Sequence, residues 1–289
     1  MSVAVLGPGA VGGSLAVRLA ETGIDVVCVA RPATARAIAS DGLTLDGLQA
    51  RPTAVERLTE PVDVLLVAVK APQLDAALER VRAPASIVLP LMNGLEHMQA
   101  IRARLGRHVA AGSISRFEAY RDGPTRIVQA SESAVVTMAS EDIAREELER
   151  AAQMFEHAGV EACVQESEKA VLWDKAARLA ALSAATAATQ RPVGELRSDP
   201  EWRPLLEAAI SEACAVAVAD GAPLTTEAQW AIIDAMPETL TTSTARDVAA
   251  GRPSELDAIT GAVARAGRRL GVATPTLDQL LERCRASSP

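Results

Sequence analysis

The pattern that most constrains the fold lies at the start of the chain. An apolar segment, Ser2–Leu6, predicts a strand, and glycines follow it with the spacing G-x-G-x-x-G before a helical pattern begins. In such a loop the first glycine permits a tight turn, the second lets a pyrophosphate approach the backbone, and the third lets helix and strand pack closely. The spacing therefore predicts a dinucleotide-binding loop, with a glycine-rich turn that holds no ligand as the alternative. The residues of this loop are Gly7, Pro8, Gly9, Ala10, Val11 and Gly12.

The first half of the chain has the pattern of one α/β domain. Apolar runs at Ser2–Leu6, Asp25–Ala30, Val62–Val69 and Ala85–Leu89 alternate with helical patterns, which is typical of βαβ units on a parallel sheet. Later apolar runs are expected to add antiparallel strands at one edge of that sheet. They lie near residues 108–113, 125–130, 134–139 and 160–164, with a helix predicted at 141–158.

The second half of the chain is predicted to be helical throughout. Helical periodicity favours helices at about 168–189, 199–219, 226–236, 253–270 and 276–285, and Ser167 is available to cap the first of them. The predicted fold class is therefore α/β. An N-terminal Rossmann-type dinucleotide-binding domain at residues 1–166 is followed by an all-helical C-terminal domain at residues 167–289.

Composition excludes several classes of partner and site. The 37 acidic and 29 basic residues give a formal net charge of −8, which disfavours binding to nucleic acid or to an anionic membrane surface. No apolar stretch approaches the roughly 20 residues that cross a bilayer, and no signal-like pattern is present, so a cytoplasmic location is expected. The four cysteines and three histidines show no ligand spacing, which argues against a metal site. A homodimer is left open.

Residues after three predicted strands indicate which cofactor the loop would take. An NAD-preferring site usually carries Asp or Glu after the second strand, whereas this strand is followed by Arg31, whose guanidinium can bind a 2′-phosphate. NADP is therefore favoured over NAD. Lys70 and Asn93 follow the next two strands at the sheet edge where open α/β folds bind ligands. A surface arginine, a loop lysine and an Asn-Gly turn are the structural alternatives.

Lys175 is the strongest catalytic candidate in the second half. The chain has only three lysines, and a lysine, unlike an arginine, can release a proton at working pH. Leu172 and Leu179 flank Lys175 on one helical face, and no carboxylate stands three or four residues away. A lysine at the edge of an apolar cleft has a lowered pKa and can protonate a developing alkoxide. A lysine snorkelling from a packed face is the alternative.

Seven short blocks together resemble the 2-dehydropantoate 2-reductase (ketopantoate reductase) family, and the resemblance covers nearly the whole chain. The blocks are the glycine motif, residues 69–73 (VKAPQ), 93–94 (NG), 121–123 (RDG), 172–175 (LWDK), 194–196 (GEL) and 255–257 (ELD) followed by Gly261. The resemblance implies a Rossmann domain, a helical domain and reduction of a 2-oxo acid by NADPH in the cleft between them. The small-molecule partner would be this carbonyl compound.

The resemblance also implies roles for individual residues. Lys175 would be the general acid, while Asn93 and Glu255 would order the cofactor ribose and the substrate. Lys70 would line the cofactor site, Arg31 would meet the 2′-phosphate, and Ser243 would contact the substrate.

Three expected substrate-binding positions depart from the family pattern. Family members commonly carry asparagines one and two turns after the catalytic lysine and before the Gly-Glu-Leu block, whereas this chain has Leu179, Ser183 and Val193. A pocket that loses these amides would reject a substrate that needs them. Three hypotheses follow: a ketopantoate reductase, the same fold acting on a less polar carbonyl or imine, and a non-catalytic nucleotide-binding regulator.

Overall fold

The computed structural model describes residues 1–286 and forms two compact units. The first unit comprises Met1–Met92 and His97–Val171. The second comprises Asn93–Glu96 together with the chain from Leu172 onward. The division therefore falls a few residues after the predicted boundary between residues 166 and 167. It also assigns to the second unit a four-residue segment that sequence patterns had placed in the first.

The first unit contains three sheets flanked by helices. Its strands are β1 (Ser2–Leu6), β2 (Asp25–Val29), β3 (Leu43–Leu45), β4 (Leu48–Ala50), β5 (Thr53–Val55), β6 (Val62–Val67), β7 (Ala85–Pro90), β8 (Ala111–Ser115), β9 (Ala119–Arg121), β10 (Arg126–Gln129), β11 (Val135–Ala139) and β12 (Glu161–Val164). Its helices are α1 (Ala10–Glu21), α2 (Pro32–Asp41), α3 (Leu74–Leu78), α4 (His97–Leu105) and α5 (Arg145–His157).

The largest sheet is parallel and has the order β5-β2-β1-β6-β7. Val64, Leu65 and Leu66 of β6 are fully buried, as expected for a central parallel strand covered on both faces. The chain runs from β1 to β2 on one side and later to β6 on the other. The order of the strands therefore reverses at β1, and open α/β sheets bind ligands at such a switch point.

The expectation of antiparallel strands at the edge of this sheet was wrong. The later strands form two separate sheets, with the orders β4-β3-β10-β9 and β12-β11-β8. In each of them one pairing is parallel, between β10 and β3 and between β11 and β12. The hairpin of β3 and β4 was not predicted, because its strands are too short to show an alternating pattern. Without β3, the sequence offered no pairing partner for β10 other than its neighbours in the chain.

His97, the first residue of α4, is a buried histidine that should make the protein acid-sensitive. It is 5% exposed, neither ring nitrogen has a hydrogen-bond partner among the described residues, and burial lowers its pKa from 6.5 to about 4. The unfolded chain binds this proton at a higher pH than the folded chain does. Stability is therefore complete above the unfolded pKa and is lost as the pH falls through the window from 6.5 to about 4.

We expect His97→Leu to remove this component of the acid sensitivity. The window corresponds to about 3 kcal/mol of unfolding free energy at most. Urea unfolding at about pH 7 and about pH 4.5 measures it as the difference in pH dependence between wild type and variant. An identical loss of stability on acidification in both proteins would contradict the assignment.

The second unit is helical throughout its described residues, which confirms the predicted fold class. Its helices are α6 (Glu168–Thr189), which begins in the first unit, α7 (Val193–Ser198), α8 (Trp202–Ala219), α9 (Thr226–Asp234), α10 (Ser243–Ala249), α11 (Ala262–Leu270) and α12 (Pro275–Ala286). Ser167 Oγ accepts a hydrogen bond from the backbone N–H of Ala170 at 3.2 Å, as a capping residue should. Small fully buried side chains of α6, such as Ala177, Ala181 and Ala184, allow neighbouring helices to approach closely.

One helical prediction for this unit needs correction, and two further helices were not predicted. The helix expected at 253–270 begins later, with a π-helical turn at Asp257–Gly261 before α11, and sequence patterns missed α7 and α10. Both missed helices are short, so they carry too few apolar repeats for a periodicity signal. Among the described residues, no helix is long and apolar enough to span a membrane.

Candidate active site

The glycine loop occupies the switch point at the carboxyl end of β1. The backbone N–H of Gly7 donates to the carbonyl of Val29 in β2 at 3.1 Å, and Gly7 has a φ of +89°, which favours glycine. A Cβ added at Gly12 would lie 2.4 Å from the Gly7 carbonyl oxygen. Gly7 and Gly12 are therefore required by the backbone conformation and by the contact between loop and helix.

Gly9 differs from these two glycines because protein packing does not require it. A Cβ added there would meet no atom closer than the Gly7 oxygen at 3.9 Å. The position precedes the first residue of α1, and no side chain caps the N-terminus of that helix. An uncapped helix N-terminus beside an open glycine fits a pyrophosphate group. The loop residues therefore fit the phosphates of a dinucleotide.

The two cationic candidates of the first unit lie after strands of the parallel sheet. Arg31 follows β2 at an exposed position and directly precedes α2. Lys70 is partly buried after β6 and directly precedes a short 3₁₀ helix at Ala71–Gln73. Both stand at the carboxyl ends of strands adjacent to β1, as the sequence predicts.

Asn93, Glu255 and Lys175 come together in the second unit. Asn93 Nδ2 donates a hydrogen bond to Glu255 Oε2 at 3.3 Å. Glu255 is 7% exposed, and its charge acts on the ammonium of Lys175. These three residues come from distant parts of the chain, and the structure gathers them around one buried carboxylate.

Two contacts explain why Asn93 belongs with the helical unit. Gly94 has a φ of +90°, and a Cβ added there would lie 2.2 Å from the carbonyl oxygen of Ala258 in the π-helical turn. Arg265 of α11 binds both carboxylate oxygens of Glu96, at 2.9 and 2.8 Å, and also binds Asp257. A close backbone approach and a bidentate ion pair thus fix the segment that carries Asn93.

The environment of Lys175 makes it a better proton donor at neutral pH than an ordinary lysine. The residue as a whole is half-buried, and its ammonium group is desolvated. Burial of the ammonium lowers its pKa to about 8, the Glu255 carboxylate opposes this shift, and the Arg178 guanidinium adds to it. A pKa near working pH suits a general acid, because the group then carries a proton that it can also give up.

A buried polar network one helical turn from Lys175 was not recognised in the sequence. Arg178, which is 7% exposed, binds both carboxylate oxygens of Asp174 at 3.1 and 2.9 Å and the Oε1 atom of Gln229 at 2.7 Å. Burial raises the pKa of the Asp174 carboxyl. The hydrogen bonds and charge of Arg178 lower that pKa by more, so it lies below its ordinary value. The i,i+4 spacing of Asp174 and Arg178 was the available signal.

The four remaining candidate positions lie in different surroundings. Val193 is fully buried at the start of α7, and Leu179 is partly buried on α6. Ser183 is 1% exposed, and its hydroxyl has no hydrogen-bond partner among the described residues. Ser243 is exposed as the first residue of α10. Their proposed contacts with substrate remain predictions.

Replacing Glu255 by glutamine is expected to move the pH dependence of any reaction in which Lys175 donates a proton to lower pH. The carboxylate raises the pKa of Lys175, so its removal should lower that pKa and deprotonate the amine at a lower pH. The measurement is kcat/KM against pH for Glu255→Gln, with Glu255→Asp as the variant that keeps the charge. An unmoved alkaline limb in Glu255→Gln would show that the carboxylate does not act on the proton donor.

Comparison with known proteins gives consistent matches over both halves of the chain. The family model described as "Ketopantoate reductase PanE/ApbA" matches residues 3–141, and "Ketopantoate reductase PanE/ApbA C terminal" matches residues 169–287. A 2-dehydropantoate 2-reductase from Caulobacter vibrioides is 31% identical over 285 residues, which are 95% of this chain and 94% of that protein.

Solved structures agree with the family models. A PanE/ApbA family ketopantoate reductase from Ralstonia eutropha superposes with a TM-score of 0.87 at 28% identity, covering 100% of this chain and 98% of that one. A D-mandelate dehydrogenase in complex with NADH and anilino(oxo)acetate superposes with a TM-score of 0.90 at 22% identity and the same coverage, a likeness that shows the fold alone.

The fold, its glycine loop and these relatives define a class, the reductases that use a pyridine nucleotide. Within that class the chain belongs to the ketopantoate reductase (PanE/ApbA) family, because the two family models together match most of its length.

Proposed function

We propose that this protein reduces the carbonyl group of a 2-oxo acid with NADPH, and that 2-dehydropantoate is the first candidate substrate. The observation that carries the proposal is the grouping of Lys175 with Glu255 and Asn93 in a chain that also holds a dinucleotide loop. A proton donor and a hydride carrier are the two components that carbonyl reduction requires. The relatives from Caulobacter vibrioides and Vibrio cholerae are named 2-dehydropantoate 2-reductases.

In the proposed reaction the protein supplies the proton and holds the reactants. The loop at Gly7–Gly12 would hold the pyrophosphate, Arg31 the 2′-phosphate, and Lys70 and Asn93 the remainder of the cofactor. The reduced nicotinamide supplies the hydride when bound. Lys175 Nζ would give its proton to the carbonyl oxygen as the carbon accepts the hydride, and the neutral amine would then recover a proton from solvent.

Glu255 would keep Lys175 protonated, and Glu255 and Asn93 would hold each other in position beside it. The Glu255 carboxylate stabilises the ammonium form of Lys175 against the cost of burial. It also accepts the hydrogen bond of the Asn93 amide and so orients that side chain. Donors that are already oriented stabilise a developing alkoxide without reorganising during the reaction.

The second candidate function retains this chemistry but changes the substrate to a less polar carbonyl compound or imine. Leu179 and Val193 stand where the family commonly has asparagines, so the pocket would offer fewer amide partners to a polar substrate. The solved D-mandelate dehydrogenase complex contains anilino(oxo)acetate and NADH. The third candidate, a nucleotide-binding regulator, would need none of the residues around Lys175.

Cofactor oxidation by the purified protein distinguishes the three functions. We would measure kcat/KM for 2-dehydropantoate and for 2-oxo acids with aryl or branched apolar groups, simple ketones and cyclic imines, each with NADPH and with NADH. The proposal expects 2-dehydropantoate with NADPH to give the highest value. A higher value for an apolar compound would favour the second candidate. Tight NADPH binding without oxidation on any compound would favour the regulator.

A further inference from the structure

Arg121 is held on the same face of its hairpin as a residue that touches the glycine-loop helix. In the antiparallel pair of β9 and β10, Arg121 lies directly opposite Ile127. Side chains of directly opposed residues project from the same face of a sheet. A Cβ added at Gly13 would lie 2.4 Å from Ile127 Cδ1, so this face meets the first turns of α1. Arg121 therefore projects on the side of the phosphate-binding turn.

The guanidinium of Arg121 is oriented by carbonyl groups and lies near a second cation. Its Nε donates to the Gly123 carbonyl at 3.3 Å, and another nitrogen donates to the carbonyl of Pro124. Partial burial lowers the pKa of Arg121, and the charge of Arg31 lowers it further. Neither arginine has an ion-pair partner within residues 1–286, in a chain whose net charge is −8. Two uncompensated guanidiniums that repel each other form a site suited to a multiply charged anion.

The other cation of the hairpin has a different position and a partner. Arg126 directly precedes Ile127 in β10, so its side chain projects from the opposite face. It also lies 3.4 Å from the carboxylate of Asp122. Arg126 is therefore a matched control, because it adds the same charge to the same hairpin without facing α1.

We propose that Arg121 is a cofactor-specificity residue that binds, together with Arg31, the 2′-phosphate of NADPH. The inference rests on the proposed function, since it assigns a further residue to that cofactor. A phosphomonoester carries up to two negative charges and several acceptor oxygens, which one exposed guanidinium would satisfy only in part. NADH has hydroxyl groups in the same place and would gain little from a second arginine.

Titration of NADPH and NADH with wild type, Arg121→Gln and Arg126→Gln tests this assignment through nicotinamide fluorescence. We expect Arg121→Gln to weaken NADPH binding about tenfold and to change NADH binding by less than about twofold. Arg126→Gln should match wild type with both cofactors. Unchanged NADH binding also shows that the variant retains a folded site.

The outcomes separate this inference from the proposed function. If wild type prefers NADPH and Arg121→Gln keeps the wild-type ratio of affinities, Arg121 plays no part in selectivity while NADPH dependence stands. Equal weakening of both cofactors would mean that Arg121 acts on the loop as a whole, which also overturns its assignment to the 2′-phosphate. If wild type shows no preference for NADPH, the proposed cofactor and this inference fall together.

Discussion

Replacement of Lys175 by methionine is expected to lower kcat for carbonyl reduction by about 10³-fold while leaving NADPH affinity near its wild-type value. General acid catalysis by one side chain contributes roughly 10²–10⁴-fold, and methionine keeps the length of the side chain without a transferable proton. We expect an apolar side chain to fit at this position, because Leu172 and Leu179 flank it on α6. Single-turnover oxidation of NADPH measures the chemical step directly.

Lys169→Met is the matched control for this variant. Lys169 lies on the same helix at an exposed position, so its replacement removes the same charge from α6 six residues before Lys175. It should reduce carbonyl compounds at the wild-type rate. Equal activity of Lys175→Met and wild type, with both proteins folded, would contradict the role of the amine.

The second large effect is expected from a pair of alanine substitutions in the glycine loop. A Cβ at Gly12 would lie 2.4 Å from the Gly7 oxygen and 2.9 Å from a buried Val5 methyl, neither of which can move freely. Gly12→Ala should therefore destabilise the fold by about 2–3 kcal/mol, a loss of roughly 5–10 °C in Tm. Thermal unfolding of the cofactor-free protein measures this loss.

Gly9→Ala should have the opposite profile. Its φ of −83° lies outside the left-handed region that favours glycine, and its Cβ would meet no protein atom closer than 3.9 Å, so the Tm should stay within about 2 °C of wild type. NADPH affinity should fall at least about tenfold, because the methyl group would occupy the space that the pyrophosphate requires. Wild-type NADPH affinity in Gly9→Ala, or a greater loss of stability than in Gly12→Ala, would contradict the assignment of Gly9 to cofactor binding and of Gly12 to packing.

The sequence specified the parallel sheet more reliably than the strands added to it. Continuous apolar runs such as β6 are buried on both faces, and the glycine spacing marks the turn that follows β1. The three-residue strands β3, β4 and β9 carry no period, because three residues are too few to show an alternating pattern. The π-helical turn was also not predicted, and it lies against a segment distant in the chain, since a Cβ added at Gly94 would lie 2.2 Å from the carbonyl oxygen of Ala258.

The residues of the candidate site could be predicted from the sequence only in part, for a similar reason. Lys175 stood out because an amine on an apolar helical face is unusual, and the structure places Glu255 and Asn93 with it. The pairing of Arg121 with the α1 face depends on the register between β9 and β10, which no local pattern encodes. The buried position of Arg178 was not predicted for a different reason: its hydrogen-bond partner Gln229 comes from another helix.

The pH dependence of kcat/KM for carbonyl reduction tests most directly whether Lys175 donates the proton. The ammonium is the active form and its pKa is lowered to about 8, so the rate should be constant below that pH and fall tenfold per pH unit above it. The residual activity of Lys175→Met should lack this alkaline limb. A limb near pH 8 that persists unchanged in Lys175→Met, or a wild-type profile that stays level to about pH 10, would contradict the assignment.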